Sequence, residues 1–396
     1  MTDIILILTL LLKVSTLYFA CVAVFALGRR RRFAHAAPAT RFAVLAAARN
    51  EERVIGALVE SIKAQNYPAE LVDIYVIPNN CTDHTEAAAA AAGAQIVHCL
   101  GRVGSKGDAL REAICQLLPK GYDAFAVFDA DNTAHPDFLL RMNDAFQAGA
   151  RVCKGRLRAA NPTDSWVAGC YGLYFAAFDW FFSRPRSRCG LSAKLVGTGF
   201  AVHREVLEEL GGWNTATIAE DAEFSAQCAR IGRRVHWVPE AMAYDEEPTD
   251  LRTSLIQRRR WCSGLMQVAR QEVGRLAAGT GPLALRLDMA MFLLAPFTQA
   301  LSGLLALAGV AAGGISGLAG YLGGLCLAYI AAAGLGLVLS LAEGYGLRGM
   351  LPAICGYPLF MATWMPLQVA ALFKDTTSWR EIRHQGRARP VAGGQW

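Results

Sequence analysis

Residues 4–27 are apolar apart from Lys13, which predicts a helix long enough to cross a membrane. Asp3 precedes the run, and Arg29, Arg30, Arg31 and Arg32 follow it at once. A cleaved leader carries its positive charge ahead of the apolar stretch. The order seen here predicts a retained anchor, residues 1–28, with its N-terminus outside and its arginines in the cytosol. Lys13 then snorkels to the headgroups or faces a helix bundle.

From residue 41 the pattern changes to short apolar runs that alternate with helical periodicity. Residues 42–46, 73–77, 95–98 and 124–128 read as strands. Ile55, Leu58, Val59 and Ile62 recur at the i, i+3, i+4, i+7 spacing of an amphipathic helix, and another is predicted over 108–118. This order implies an α/β fold, residues 41–250, with a largely parallel sheet that binds its ligands beyond the carboxyl ends of the strands. The polar clusters fall at those ends: Asn50-Glu51-Glu52, Asn79-Asn80-Cys81-Thr82-Asp83 and Asp129-Ala130-Asp131.

A basic segment, residues 251–280, leads into a second apolar region, residues 285–373, expected to form a transmembrane bundle with spans at 287–312 and 318–342. The stretch 350–373 contains Pro352, Pro358 and Pro366, which disfavour an unbroken helix. If it also crossed, the tail 374–396, with Lys374, Arg380, Arg383, Arg387 and Arg389, would lie outside, against the positive-inside tendency. A re-entrant or interfacial segment and a cytosolic tail are expected instead.

The chain is 54% hydrophobic and 18% charged, too apolar for a soluble domain of 396 residues without spans in lipid. Its net charge of +6 comes largely from arginines beside apolar segments, so membrane orientation accounts for it and nucleic acid is not expected as a partner. Eleven cysteines without a CxxC pair predict neither a disulfide framework nor a zinc site, only reduced, mostly buried thiols.

Three clusters carry chemistry. Asp129 and Asp131 follow a strand and offer hard oxygen ligands suited to Mg²⁺ or Mn²⁺, although acids at this spacing also cap helices or solvate turns. Asp221 falls in the first turn of a helix, where it either serves the helix dipole or acts as the general base for an acceptor hydroxyl. Gln257, Arg258, Arg259, Arg260 and Trp261 combine guanidinium donors for phosphate with an indole face for a sugar ring, or else form an interfacial helix on lipid headgroups.

In order, these clusters together with Lys106-Gly107-Asp108-Ala109-Leu110, Gly197-Thr198-Gly199-Phe200 and Glu220-Asp221 resemble the successive motifs of membrane family-2 glycosyltransferases, which include bacterial cellulose, hyaluronan, poly-N-acetylglucosamine and chitin-oligosaccharide synthases. The resemblance covers residues 41–266 and the flanking helices. It implies a GT-A fold, a nucleotide-sugar donor of the UDP-sugar type, and a divalent metal, Mg²⁺ or Mn²⁺. By similarity Glu51 and Asn79 hold the nucleoside, Lys106 meets the phosphates, Asp129 and Asp131 bind diphosphate and metal, and Asp221 is the base. Gln257, Arg260 and Trp261 close over the diphosphate and the acceptor sugar. Asn79 stands where the family usually has Asp, and Ala219 where it commonly has Thr.

The expected activity is inverting transfer onto a growing β-linked polysaccharide at the cytosolic face of a bacterial inner membrane. The alternative is single addition to a lipid-linked acceptor. A non-catalytic membrane scaffold is disfavoured by the presence of Asp129, Asp131 and Asp221 together.

Overall fold

The computed structural model describes residues 2–28 and 32–376. Arg29, Arg30, Arg31 and the basic tail with Arg380, Arg383, Arg387 and Arg389 lie outside the described residues. The first helix, α1 (Thr2–Val24), is the apolar element expected, with Lys13 exposed on its outer face and not turned toward other helices.

An α/β unit follows, in the order β1 (Phe42–Ala48), α2 (Ile55–Lys63), β2 (Val72–Pro78), α3 (Thr85–Ala92), β3 (Gln95–Ile96), α4 (Lys106–Leu117), β4 (Ala124–Asp129), β5 (Asn132–Ala134), α5 (Phe138–Gln147) and β6 (Val152–Ala159). It continues with α6 (Trp166–Phe178), α7 (Arg184–Cys189), β7 (Phe200–His203), α8 (Arg204–Leu210), α9 (Glu220–Ile231) and β8 (Val235–Asp245). Helix α4 starts two residues earlier than expected because Ser105 and Asp108 form a reciprocal cap: the Asp108 amide donates to Ser105 Oγ at 3.1 Å and the Ser105 amide to the Asp108 carboxylate at 3.2 Å. The strand expected over 95–98 is only two residues long, since β3 pairs with β2 alone at the sheet edge.

The eight strands form one mixed sheet in the order β3-β2-β1-β4-β7-β6-β8-β5. Strands β3, β2, β1 and β4 run parallel, as do β6 and β8, while β7 enters antiparallel between β4 and β6. Strand β1 is buried throughout, and its alternating residues serve two cores. Val44 and Ala46 pack with Leu58, Phe138 and Tyr171, whereas Ala43, Leu45 and Ala47 pack with Leu110, Ile114, Trp213 and Phe224. A bulge after Gly155 bends β6; a Cβ there would collide with the Ala241 carbonyl, so only glycine fits.

Beyond the sheet lie α10 (Leu251–Ala277), α11 (Leu283–Ala342), α12 (Leu347–Ala362) and α13 (Trp364–Phe373). Helix α11, and α12 with α13 together, are long and apolar enough to cross a membrane. A straight helix of 60 residues would hold its ends ~90 Å apart. Yet Asp288 near its start pairs with Arg186 at 2.9 Å, and Glu343 just past its end pairs with Arg156, which also holds Asp179 at 3.2 Å. Asp179 and Arg186 are neighbours on the π-helical turn Asp179–Ser183 and α7. The two ends therefore return to one place, and the chain doubles back at Gly314 (φ 56°, ψ −139°) to give the two halves expected.

Pro352 and Pro358 do not break α12, contrary to expectation; the path turns only at Thr363. Packing compensates for the lost amides. Ala353 fits against Gly169 and Trp166 against Gly356. Past the prolines, where the path turns, the Phe360 carbonyl accepts from Thr363 Oγ1 at 2.7 Å and Arg258 Nη1 at 2.9 Å. Only four of the cysteines, Cys153, Cys170, Cys228 and Cys262, are buried, because Cys21, Cys326 and Cys355 lie on the outer faces of apolar helices.

Candidate active site

The carboxyl ends of β2, β1 and β4 lie side by side, and the loops leaving them knit together. The chain turns through left-handed conformations at Asn50 (φ 58°) and Asn80 (φ 51°), which asparagine tolerates better than most residues. Asn50 Oδ1 accepts from the Thr82 amide at 2.7 Å, and the Glu51 amide donates to Thr85 Oγ1 at 2.8 Å, fixing Glu51 at a partly open rim. Asn79 is buried; its Oδ1 accepts from Asn80 at 2.7 Å, but its Nδ2 has no partner. A buried orphan donor costs about 1–3 kcal/mol, so this amide fits a ligand carbonyl.

The centre of the site is the turn at Gly197 and Thr198. Lys106 Nζ donates to Asp129 Oδ1 at 2.5 Å and to the Gly197 carbonyl at 2.8 Å, and lies 3.5 Å from Glu220. The Gly197 amide donates to Asp221 Oδ2, while Asp221 Oδ1 accepts from the Ala222 amide at 2.7 Å. Thr198 Oγ1 accepts from the Asp129 amide at 2.9 Å and donates to Asn132 Oδ1. From below, buried Lys154 donates to the Thr198 carbonyl at 2.8 Å. Gly197 and Gly199 both take positive φ, 61° and 63°, which lets the backbone bend through these contacts. Lys106, Asp129 and Asp221, far apart in sequence, thus meet on one turn.

The local field is shaped by burial. Burial works against the Lys106 charge, but Asp129 and Glu220 hold its pKa above the ordinary lysine value. Burial pushes Glu220 up to about 7 although Lys106 pulls it down, and burial draws Lys154 down to about 8. Burial and repulsion from Asp131 raise Asp245 well above the carboxylate range, and burial with Asp245 does the same to Glu247.

Asp245 and Glu247 are functional candidates that sequence reasoning missed. Asn132 Nδ2 bridges the acids, donating to Asp245 Oδ1 at 2.8 Å and to Asp131 Oδ1 at 3.3 Å, and buried Glu247 Oε1 has no partner. Crowded carboxylates with an unsatisfied oxygen fit a divalent cation. Among the described residues no three His, Cys, Asp or Glu side chains enclose an ion. The protein would therefore supply only part of the shell through Asp129 and Asp131 and leave the rest to phosphate and water, as Mg²⁺ and Mn²⁺ accept.

The segment 257–261 lies within α10, one turn ahead of Gly264, where a Cβ would meet Ala219 and Ile218 in the loop just before Asp221. Gln257 Oε1 accepts from the Tyr171 hydroxyl at 2.7 Å. Arg258 is fully buried over the Phe360 ring at 3.8 Å, so this arginine holds helices together. Arg260 is half-buried. Trp261, itself only partly buried, stands edge-on to Tyr171 and Phe175, with Trp364 nearly parallel at 6.2 Å.

A family model described as glycosyltransferase-like family 2 matches residues 38–264. The chain is 28% identical over 244 residues to the probable glycosyltransferase YdaM of Bacillus subtilis, covering 57% of this chain and 55% of that protein. It is 29% identical over 236 residues to the beta-monoglucosyldiacylglycerol synthase of Synechocystis, covering 57% and 48%. The chain spans about half the length of these curated relatives. Among solved structures, a mannosyltransferase of Pyrobaculum calidifontis in complex with GDP-Man and Mn²⁺ shares the fold at TM-score 0.63 and 19% identity, covering 91% of this chain and 97% of that one.

Proposed function

The chain belongs to the glycosyltransferase-like family 2, and on that premise we propose that it is a hexosyltransferase that moves a sugar from a nucleotide diphosphate donor to an acceptor hydroxyl at the cytosolic face of a membrane, with inversion. The observation that carries this reading is the convergence of Lys106, Asp129 and Asp221 on the turn at Gly197 and Thr198. Glu51 and Asn79 take the nucleoside, the orphan Asn79 Nδ2 donating to a carbonyl of the base. The UDP-sugar reading rests on the resemblance. Lys106 shifts from Asp129 to the donor phosphates. Asp129 and Asp131 would hold a divalent ion, which would supply positive charge to offset that of the departing diphosphate.

Asp221 takes the proton of the acceptor hydroxyl as its oxygen attacks the anomeric carbon opposite the phosphate. The bond from that carbon to the phosphate oxygen breaks, and the diphosphate leaves with the electron pair. Two backbone amides aim the Asp221 carboxylate, and each of its oxygens keeps a lone pair for the acceptor.

The acceptor is a growing glycan or a lipid-linked hydroxyl. Extension of a glycan needs a free indole face on Trp261 to keep the chain end. The rings of Tyr171, Phe175 and Trp364 occupy part of its surface and make it a packing residue, which favours single addition to a lipid-held acceptor, in keeping with the name of the Synechocystis relative. Product sizing tests this. Wild-type enzyme is expected to add one sugar, and Trp261→Ala to lose stability by about 1–3 kcal/mol with no change in product length. A polymer that Trp261→Ala shortens would restore the processive reading with Gln257, Arg260 and Trp261 as its acceptor contacts.

The membrane arrangement follows the same reading: α1 and the two halves of α11 cross, and α12 with α13 lies at the cytosolic interface, since Met350, Ala353, Tyr357 and Phe360 share the core of the α/β unit. In cells, an impermeant thiol reagent should modify a single cysteine placed at exposed Ile315, beside the Gly314 reversal, but not exposed Cys115 on α4 until the membrane is opened. Labelling of Cys115 in intact cells would contradict a cytosolic catalytic unit.

A further inference from the structure

Outside the reaction centre, four side chains from four segments meet with no access to solvent for three of them. Lys194 Nζ donates to Asp288 Oδ2 at 2.8 Å, and Asp288 Oδ1 accepts from Arg186 Nε at 2.9 Å and from the Tyr18 hydroxyl at 2.5 Å. The side chains of Lys194, Arg186 and Asp288 are fully buried. Asp288 belongs to α11, Tyr18 to α1 and Arg186 to α7, while Lys194 sits three residues ahead of Gly197. We infer that Lys194 is a positioning residue, through which Asp288 and the membrane-side helices hold the turn at Gly197 and Thr198 in the geometry that Asp221 and Lys106 require.

The charges argue for this. Two cations face one carboxylate, so Arg186 alone would neutralise Asp288, and the second buried ammonium adds a desolvation cost that the pairing does not need. Arg186 is further held by the Phe182 ring, 3.5 Å away, and by the Phe182 carbonyl, although its Nη2 has no partner, and none of its contacts involves Lys194. The backbone around Lys194 leads straight to the site. The Ala193 amide donates to the Val235 carbonyl at 2.9 Å, and the Leu195 amide to Ser225 Oγ at 2.9 Å. That same hydroxyl donates to the Asp221 carbonyl at 2.9 Å. Two residues on, the Gly197 amide engages the Asp221 carboxylate and the Gly197 carbonyl engages Lys106. Pulling on Lys194 therefore moves the one segment that touches both groups, and turnover becomes sensitive to how α1 and α11 are seated.

This inference rests on the reading of Asp221 as the base, so the experiment carries Asp221→Asn beside it. Full-length enzyme in lipid bilayers is compared as wild type, Lys194→Met, Lys194→Arg, Tyr18→Phe and Asp221→Asn. Binding stoichiometry is read by calorimetry with UDP and with GDP in the presence of Mn²⁺, and kcat and KM with the sugar nucleotide that gives the fastest transfer. Lys194→Met leaves Arg186 and Asp288 as a balanced pair, so it is expected to bind nucleotide at full stoichiometry with an unchanged melting temperature. Its kcat should fall by about 10- to 100-fold at nearly constant KM, the scale of a misplaced catalytic group. Lys194→Arg should restore most of that loss. Tyr18→Phe, which removes one hydroxyl, should lower kcat by about two- to fivefold. Unchanged kcat per binding site in Lys194→Met, or a loss of binding sites that accounts for all the lost turnover, would overturn the inference; if Lys194→Met does not accumulate, unchanged kcat in Tyr18→Phe would do so. A fully active Lys194→Met beside an inactive Asp221→Asn means that only the positioning role is wrong. A fully active Asp221→Asn removes the base reading itself.

Discussion

Asp221→Asn is expected to lower turnover by roughly 10²- to 10⁴-fold while nucleotide affinity stays within about twofold, the usual loss for a general base. The substitution is structurally mild. The amide side chain keeps one oxygen to accept from the Gly197 amide and gives up the contact with the Ala222 amide, and the loop ahead of α9 is held by Glu223, whose carboxylate accepts from the Ala216 and Thr217 amides at 2.9 and 2.7 Å. Glu223 thus braces the loop, while Asp221 itself accepts from the first-turn Ala222 amide at 2.7 Å. What the variant lacks is a site basic enough to take a proton. If binding and turnover fall together, Asp221 is a structural residue.

Chelation of divalent metal, or Asp131→Asn, should reduce transfer by on the order of 10³-fold, equivalent to about 4 kcal/mol of transition-state stabilisation. Asp131 is the cleaner probe of the two acids. Asp129 also holds buried Lys106, so its replacement would unpair an ammonium and perturb the turn at Gly197 as well. Asp131 Oδ1 accepts from Asn132 at 3.3 Å, a contact that an amide oxygen can keep. Full activity in excess chelator would exclude the metal role.

Much of the frame is legible because periodicity reports burial. Strand β1 and the Ile55, Leu58, Val59, Ile62 face come straight from apolar spacing, and Asp129 at the end of β4 follows from the run before it. The turn at Gly197 and Thr198 stands out in sequence only as part of a motif. Its role comes from side chains 24 to 91 residues away, and such contacts leave no local pattern. Asp245 and Glu247 escape notice because the strand pattern ends at Tyr244 and acids after it look like a solvated loop. Their burial arises from neighbours on β5 and β6.

Three consecutive arginines on a helix point about 100° apart, so at least one is apt to face inward, but the run itself does not say which. The signal lies at the next level: Ser254, Cys262 and Met266 share the i±4 row of Arg258, and all are buried. The prolines of α12 mislead for a different reason. A broken helix is the outcome for an isolated segment, whereas here close packing of α6 against α12 offsets the hydrogen bonds that proline forfeits.

The chemistry turns on a single carboxylate, Asp221, activating the acceptor from the side opposite the diphosphate. Its most direct test is the anomeric configuration of the product. Purified enzyme in lipid bilayers, given Mn²⁺ and a panel of isotopically labelled sugar nucleotides, is assayed for transfer, and the anomeric coupling of the new bond is read by NMR. Transfer with the donor's anomeric configuration reversed is the predicted result. A product that retains it would contradict direct displacement driven by Asp221.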